Sequence, residues 1–100
     1  MPSLTITVPH SLGADEAAAR LKTFLEKLKE KYKDQMSNLE QQWEGNRLDY
    51  GFSTFGFNIK GDLNVEPNEV RVNGNLPFAA MMFKGKIEQS VREELEKLLA

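Results

Sequence analysis

The chain has one histidine, no cysteine and 15 acidic residues, and these limit the chemistry open to it. Without cysteine there is no thiolate nucleophile, no disulfide and no cysteine-containing zinc or iron–sulfur site. A single histidine precludes multi-histidine metal sites. His10 could serve as a general base, but a base needs a nucleophile to deprotonate or a carboxylate to orient it. Neither stands at a recognisable spacing. The plainer reading makes His10 a loop residue that fixes a strand-to-helix connection. Glu40, Glu44, Asp49, Asp62, Glu66 and Glu69 would form an acid–base couple only where the fold drives two pKa values apart. On alternating strands most of them fall on the solvent phase. Gly45, Gly51, Gly56, Gly61 and Gly74 are scattered and match neither the P-loop nor the dinucleotide pattern. They suit turns, bulges and sheet curvature instead. No catalytic, cofactor-binding or metal-binding residue is therefore assigned, and the expectation is a binding or interaction protein rather than an enzyme.

Two groups of apolar residues offer recognition chemistry. Trp43, Tyr50, Phe52, Phe55 and Phe57 either fill the core or line a pocket for a small apolar, acyl-type ligand, with Trp43, Tyr50, Phe52 and Phe57 as its walls. The core reading is favoured because a domain this small needs such residues for stability. Stacking on single-stranded nucleic acid would need a positive groove beside them, and Asp49, Asp62 and Glu66 argue against one. The second group is Phe78-Ala79-Ala80-Met81-Met82-Phe83. A helix start that is apolar nearly all round cannot bury every side against one sheet, and exposed apolar patches mark partner or membrane-like surfaces. Methionine suits an adaptable contact. Phe78, Met81, Met82 and Phe83, with Lys84 and Lys86 beside them, form a candidate interaction surface. Burial in a homodimer or within the domain is the competing reading. The lysines of the first helix read as a solvated face.

The elements that must hold these groups follow from periodicity. Leu4, Ile6 and Val8 alternate along a strand that Pro9 ends. From Gly13 to about Lys33, Ala17, Leu21, Phe24, Leu25, Leu28 and Tyr32 recur at helical spacing. Gly13 stands at the N-cap, with Asp15 and Glu16 in the first turn. Leu39, Gln41 and Trp43 mark a strand, and Glu44-Gly45-Asn46 a tight hairpin. Leu48, Tyr50 and Phe52 mark the next strand. A turn over Ser53 to Gly56 leads to Phe57, Ile59, Gly61 and Leu63. After a turn at Glu66-Pro67-Asn68, Val70, Val72, Gly74 and Leu76 mark the last strand. The phase carries this strand through the hairpin-like Asn73-Gly74 pair. Pro77 opens a helix from about Phe78 to Leu99, with Phe83, Ile87, Val91, Leu95 and Leu98 on its apolar stripe. The order β-α-β-β-β-β-α predicts an α+β fold, a curved antiparallel sheet packed on a long C-terminal helix.

At 100 residues the natural expectation is a single domain over 1–100. Thirteen basic residues against 15 acidic ones give a net charge of −2, so no large field attracts nucleic acid. The start of the chain lacks the basic and apolar regions of a secretory signal. No apolar run approaches the ~20 residues of a membrane span. A cytoplasmic protein without a transmembrane segment is expected.

Several segments together resemble the polyhydroxyalkanoic acid system proteins, small bacterial proteins associated with polyester-storage genes. They are Pro9-His10-Ser11-Leu12-Gly13 with Glu16-Ala17 and Arg20; Trp43-Glu44-Gly45-Asn46-Arg47-Leu48; Gly56 through Gly61; and Leu76, Phe83-Lys84-Gly85-Lys86-Ile87-Glu88 and Leu95-Glu96-Lys97-Leu98-Leu99. The resemblance covers nearly the whole chain and rests on order and spacing rather than on any one piece. Lys33 to Asn38 departs from it, being longer and more polar than the usual link. The resemblance implies a cytosolic accessory protein whose partner is a polyhydroxyalkanoate granule surface or a granule-associated protein. It brings no catalytic residues with it. The strand order also resembles a reduced helix-grip fold, in which larger members hold apolar ligands between sheet and helix.

Overall fold

A computed structural model describes residues 3–54 and 56–100, so Met1, Pro2 and Phe55 lie outside the described residues. Strand β1 (Ser3–Pro9) buries Leu4, Ile6 and Val8 on one face, as a period of two requires. Helix α1 (Ala14–Lys31) begins after Gly13, whose φ of 80° and ψ of 160° suit glycine alone. No side chain caps this end, and Asp15 and Glu16 face the positive pole of the helix dipole. The helix buries Ala17, Ala18 and Leu21, but Phe24, Leu25 and Leu28 remain half-buried further along it.

Strands β2 (Ser37–Glu44), β3 (Arg47–Thr54), β4 (Phe57–Val65) and β5 (Glu69–Asn75) join β1 in one antiparallel sheet ordered β1-β5-β4-β3-β2. Asn73-Gly74 stays within β5, where Gly74 pairs with both Leu4 and Gly61. The register of β2 against β3 shifts between Ser37 and Glu40. The polar link before β2 folds back on the end of α1, with the Gln35 and Met36 amides donating to the Tyr32 carbonyl.

Helix α2 (Lys84–Leu99) packs against β1 and α1. It shares one buried cluster with them, including Ile6, Leu21, Leu48, Val70, Leu95 and Leu99. Two arginines fasten it. Arg92 Nη1 donates to the Thr7 carbonyl at 3.0 Å, engaging the outer edge of the sheet. Arg20 Nη1 donates to the carbonyls of Leu98 at 3.1 Å and Ala100 at 3.0 Å. These carbonyls have no partner within the helix, and a cation suits the negative end of its dipole.

One expectation needs correction. A single helix over Phe78–Leu99 does not form; Phe78–Phe83 is a short 3₁₀ helix, and α2 starts at Lys84. Its opening bond runs from the Ala80 amide to the Pro77 carbonyl, and no side chain caps it. At three residues per turn the apolar side chains are spread over all three ridges of this short helix. One neighbouring surface cannot cover them all. Phe83, expected on the buried stripe, is 56% exposed.

His10 ties two loops together. Its buried ring accepts from the Leu12 amide at Nδ1, 3.1 Å away, while Nε2–H donates to the Glu66 carbonyl at 3.0 Å. Its own amide donates to the Asn68 carbonyl at 3.0 Å. The ring therefore joins the β1–α1 loop to the β4–β5 turn. His10→Ala is expected to lower stability by about 1–3 kcal/mol, because it strands a partly buried donor and a partly buried acceptor. Urea denaturation checks this, and an unchanged midpoint would refute it.

Candidate functional site

An apolar groove lies where α1 extends past its buried section. Phe24, Leu25, Leu28 and Tyr32 overhang the β2–β3 end of the sheet, which presents Leu39, Leu48, Tyr50 and Phe52. Val91 and Leu95 of α2 close the third side. The groove is partly open to solvent and has a volume of about 320 Å³, within the range of small-molecule sites. Lys29 and Glu94 are its charged lining residues.

Tyr50 shapes the floor. Its ring stacks on Phe52 with centroids 6.5 Å apart. It then lies across β4 at Gly61, and its hydroxyl donates to the Asn73 carbonyl of β5 at 2.9 Å. Only glycine leaves room for this crossing. A Cβ at position 61 would collide with the Asn73 carbonyl oxygen and with the Tyr50 ring. Burial, helped by the nearby Asp62 charge, pushes the Tyr50 hydroxyl up from 10.0 to about 12. The folded state therefore holds this proton where the unfolded chain has released it. Stability is fully present below about pH 10 and is lost as pH rises towards 12. Tyr50→Phe is expected to remove that part of the alkaline loss, at a neutral-pH cost of about 1 kcal/mol. Denaturant midpoints against pH for the two proteins check it, and parallel curves above pH 10 would contradict it.

Of the four aromatics that the alternative, pocket reading placed in its walls, Tyr50 and Phe52 face the groove. Trp43 and Phe57 do not. Trp43 is half-buried against the core, with Lys22 Nζ 5.0 Å from its ring centroid. Phe57, also half-buried, is the first residue of β4 and does not line the groove. Phe55 lies outside the described residues. The groove residues that periodicity assigned to ordinary core are those of α1. Their signal was an apolar stripe longer than the sheet can cover, and the polar link then places Met36 at the same site.

The second feature is the short helix. Phe78 is 84% exposed, Met82 82% and Met81 38%, and none of its residues is buried. Lys84 and Lys86 follow, with Lys84 Nζ 3.9 Å from Glu88 and Lys86 exposed. None of Phe78–Phe83 lines the groove, so the two apolar features are separate.

Of the six acidic residues weighed as acid–base candidates, four are engaged with arginines. Arg47 contacts Asp49 at 3.2 Å and Asp62 at 3.1 Å, and Arg71 contacts Glu69 at 3.0 Å and Glu66 at 3.5 Å. A polar depression of about 430 Å³ near Thr5, Asp49, Asp62 and Asn73 contains the Arg47 pairs. Among the described residues, no group of three or more histidine, cysteine or acidic side chains could hold a metal ion. No described helix is long and apolar enough to cross a membrane.

The fold and its surfaces thus define a small α+β protein of one antiparallel sheet and two helices, with an apolar groove and an exposed apolar short helix. The chain belongs to the family described as "Putative polyhydroxyalkanoic acid system protein", which matches residues 4–99. No curated protein gives a significant match.

Proposed function

We propose that the chain is a non-catalytic, cytoplasmic accessory protein of polyhydroxyalkanoate storage, which rests on the polyester granule through its short helix. The observation that carries this reading is the exposure of Phe78, Met82 and Phe83 on one short segment. Large apolar side chains left in water favour transfer to an apolar phase. Lys84 and Lys86 sit at the boundary, where a long aliphatic stem can lie on the surface while its ammonium stays in water. Family membership supplies the polyester context. A granule-associated protein would use the same side chains, and the test separates it from the polymer itself.

The test is co-sedimentation of the purified protein with protein-free polyhydroxyalkanoate particles, with inert hydrophobic beads as control. The wild type is expected to follow the polyester selectively, and a folded Phe78→Ser, Met82→Ser variant is expected to stay in solution. Failure of the wild type to sediment would overturn direct granule contact. Equal binding to the beads would reduce the short helix to a sticky surface.

A further inference from the structure

We infer that the groove between α1, α2 and the sheet is a binding site for a single aliphatic acyl chain ending in a carboxylate. The inference is independent of the granule reading, since no short-helix residue lines the groove.

Shape and lining select the chain. The walls are Leu, Val, Phe, Tyr and Met side chains apart from Lys29, Gln41 and Glu94, so the interior rewards methylene groups and offers little to a polar body. A volume of about 320 Å³ is small. A peptide helix, roughly 10 Å across with its side chains, demands a wider trough, whereas an extended alkyl chain does not. Met36 and Tyr32 stand at the α1 end, where flexible and amphipathic side chains can adjust to chain length.

Charge selects the head group. Among the described residues, neither Lys29 nor Glu94 has an ion-pair partner. Lys29 lies on α1 and Glu94 on α2, both in the groove lining. A carboxylate is attracted to Lys29 and repelled by Glu94, which fixes the side on which it rests. The tail then runs inward over the stacked Tyr50 and Phe52 rings.

Calorimetric titration with octanoate, decanoate and decanol, each kept below its aggregation limit, tests the site. Affinity is expected to rise about fourfold per added methylene, so decanoate should bind about fifteenfold more tightly than octanoate. Decanoate should also exceed decanol, and Lys29→Gln should erase that preference. Leu28→Trp, which fills the groove, should abolish binding; Met36→Trp provides a second block from the loop if Leu28→Trp folds poorly. Phe78→Ser, Met82→Ser should bind decanoate as the wild type does. Absence of binding, affinity indifferent to chain length, or binding lost with the short-helix variant but kept with both groove-filling variants would each overturn the inference. A decanoate preference that survives Lys29→Gln would overturn the head-group assignment.

Discussion

Gly61→Ala is expected to destabilise the protein by about 3 kcal/mol, combining the overpacking of a close contact with the loss of a partly buried hydrogen bond. The added Cβ meets two neighbours of different compliance. The Tyr50 ring is a side chain and can swing into the groove, giving up its bond to the Asn73 carbonyl. The Asn73 carbonyl oxygen is backbone in the adjacent strand, and it can move only if β4 and β5 separate. These two strands join β1 to the rest of the sheet, so their separation loosens the burial of Ile6 and Val8 as well. Equilibrium urea unfolding checks the figure. Adding Tyr50→Leu to Gly61→Ala should not restore stability, because the backbone collision remains. Full rescue by that second change would show that the ring alone demanded glycine.

The Phe78→Ser, Met82→Ser variant is expected to lose about a hundredfold in partition onto polyester. Fully burying one such side chain is worth about 1.5–3 kcal/mol. With ordering costs deducted from the pair, roughly 3 kcal/mol remains, which is about a hundredfold in an equilibrium constant. Both side chains are more than four-fifths exposed, at 84% and 82%. Their replacement should therefore change folding stability by no more than about 0.5 kcal/mol. The combination of large binding loss and unchanged unfolding separates a contact surface from a structural one. Co-sedimentation and urea unfolding on the same samples give both numbers, and a loss below threefold would contradict the estimate.

The order of the elements and the meander from β2 to β5 were legible because each signal was local; the pairing of β1 with β5, far apart in the sequence, was not. Alternation at Leu4-Ile6-Val8 and at Leu48-Tyr50-Phe52 fixes which face of a strand is buried. Gly13 and Pro9 mark boundaries through their backbone chemistry alone. The bland reading of His10 was legible too, because no partner stood at a useful spacing; its bonds to Leu12 and Glu66 are loop bonds. Apolar residues on every side of Phe78–Phe83 meant that one sheet could not cover them all, but the sequence left exposure and burial both open, and only the structure exposes the segment.

The groove was legible only in part. Tyr50 and Phe52 are neighbours on one strand face, so their meeting is a local fact. That the far half of α1 stands over them depends on helix placement and on the Lys33–Asn38 link, neither of which periodicity reports. An apolar stripe reads the same whether it meets a packed core or an open groove. Trp43 takes the core place that was the favoured reading for the aromatics, and the pocket alternative does not hold for it. It lies on the expected strand and packs beneath Lys22 and beside the core rather than in the groove. The start of α2 was lost to a competition between geometries, since an uncapped segment after Pro77 closes i,i+3 bonds before the α-helix begins.

The claim that the short helix is the face turned to the polymer is tested most directly by methionine oxidation with and without bound particles. Sulfoxide formation follows the access of oxidant to sulfur. Met82 is exposed in the free protein, and Met36, in the groove, serves as internal reference. The expected result is that Met82 is strongly protected on polyester while Met36 oxidises at its solution rate. Bound protein whose Met82 oxidises as fast as in solution would contradict the account, because the polymer would then be touching another face.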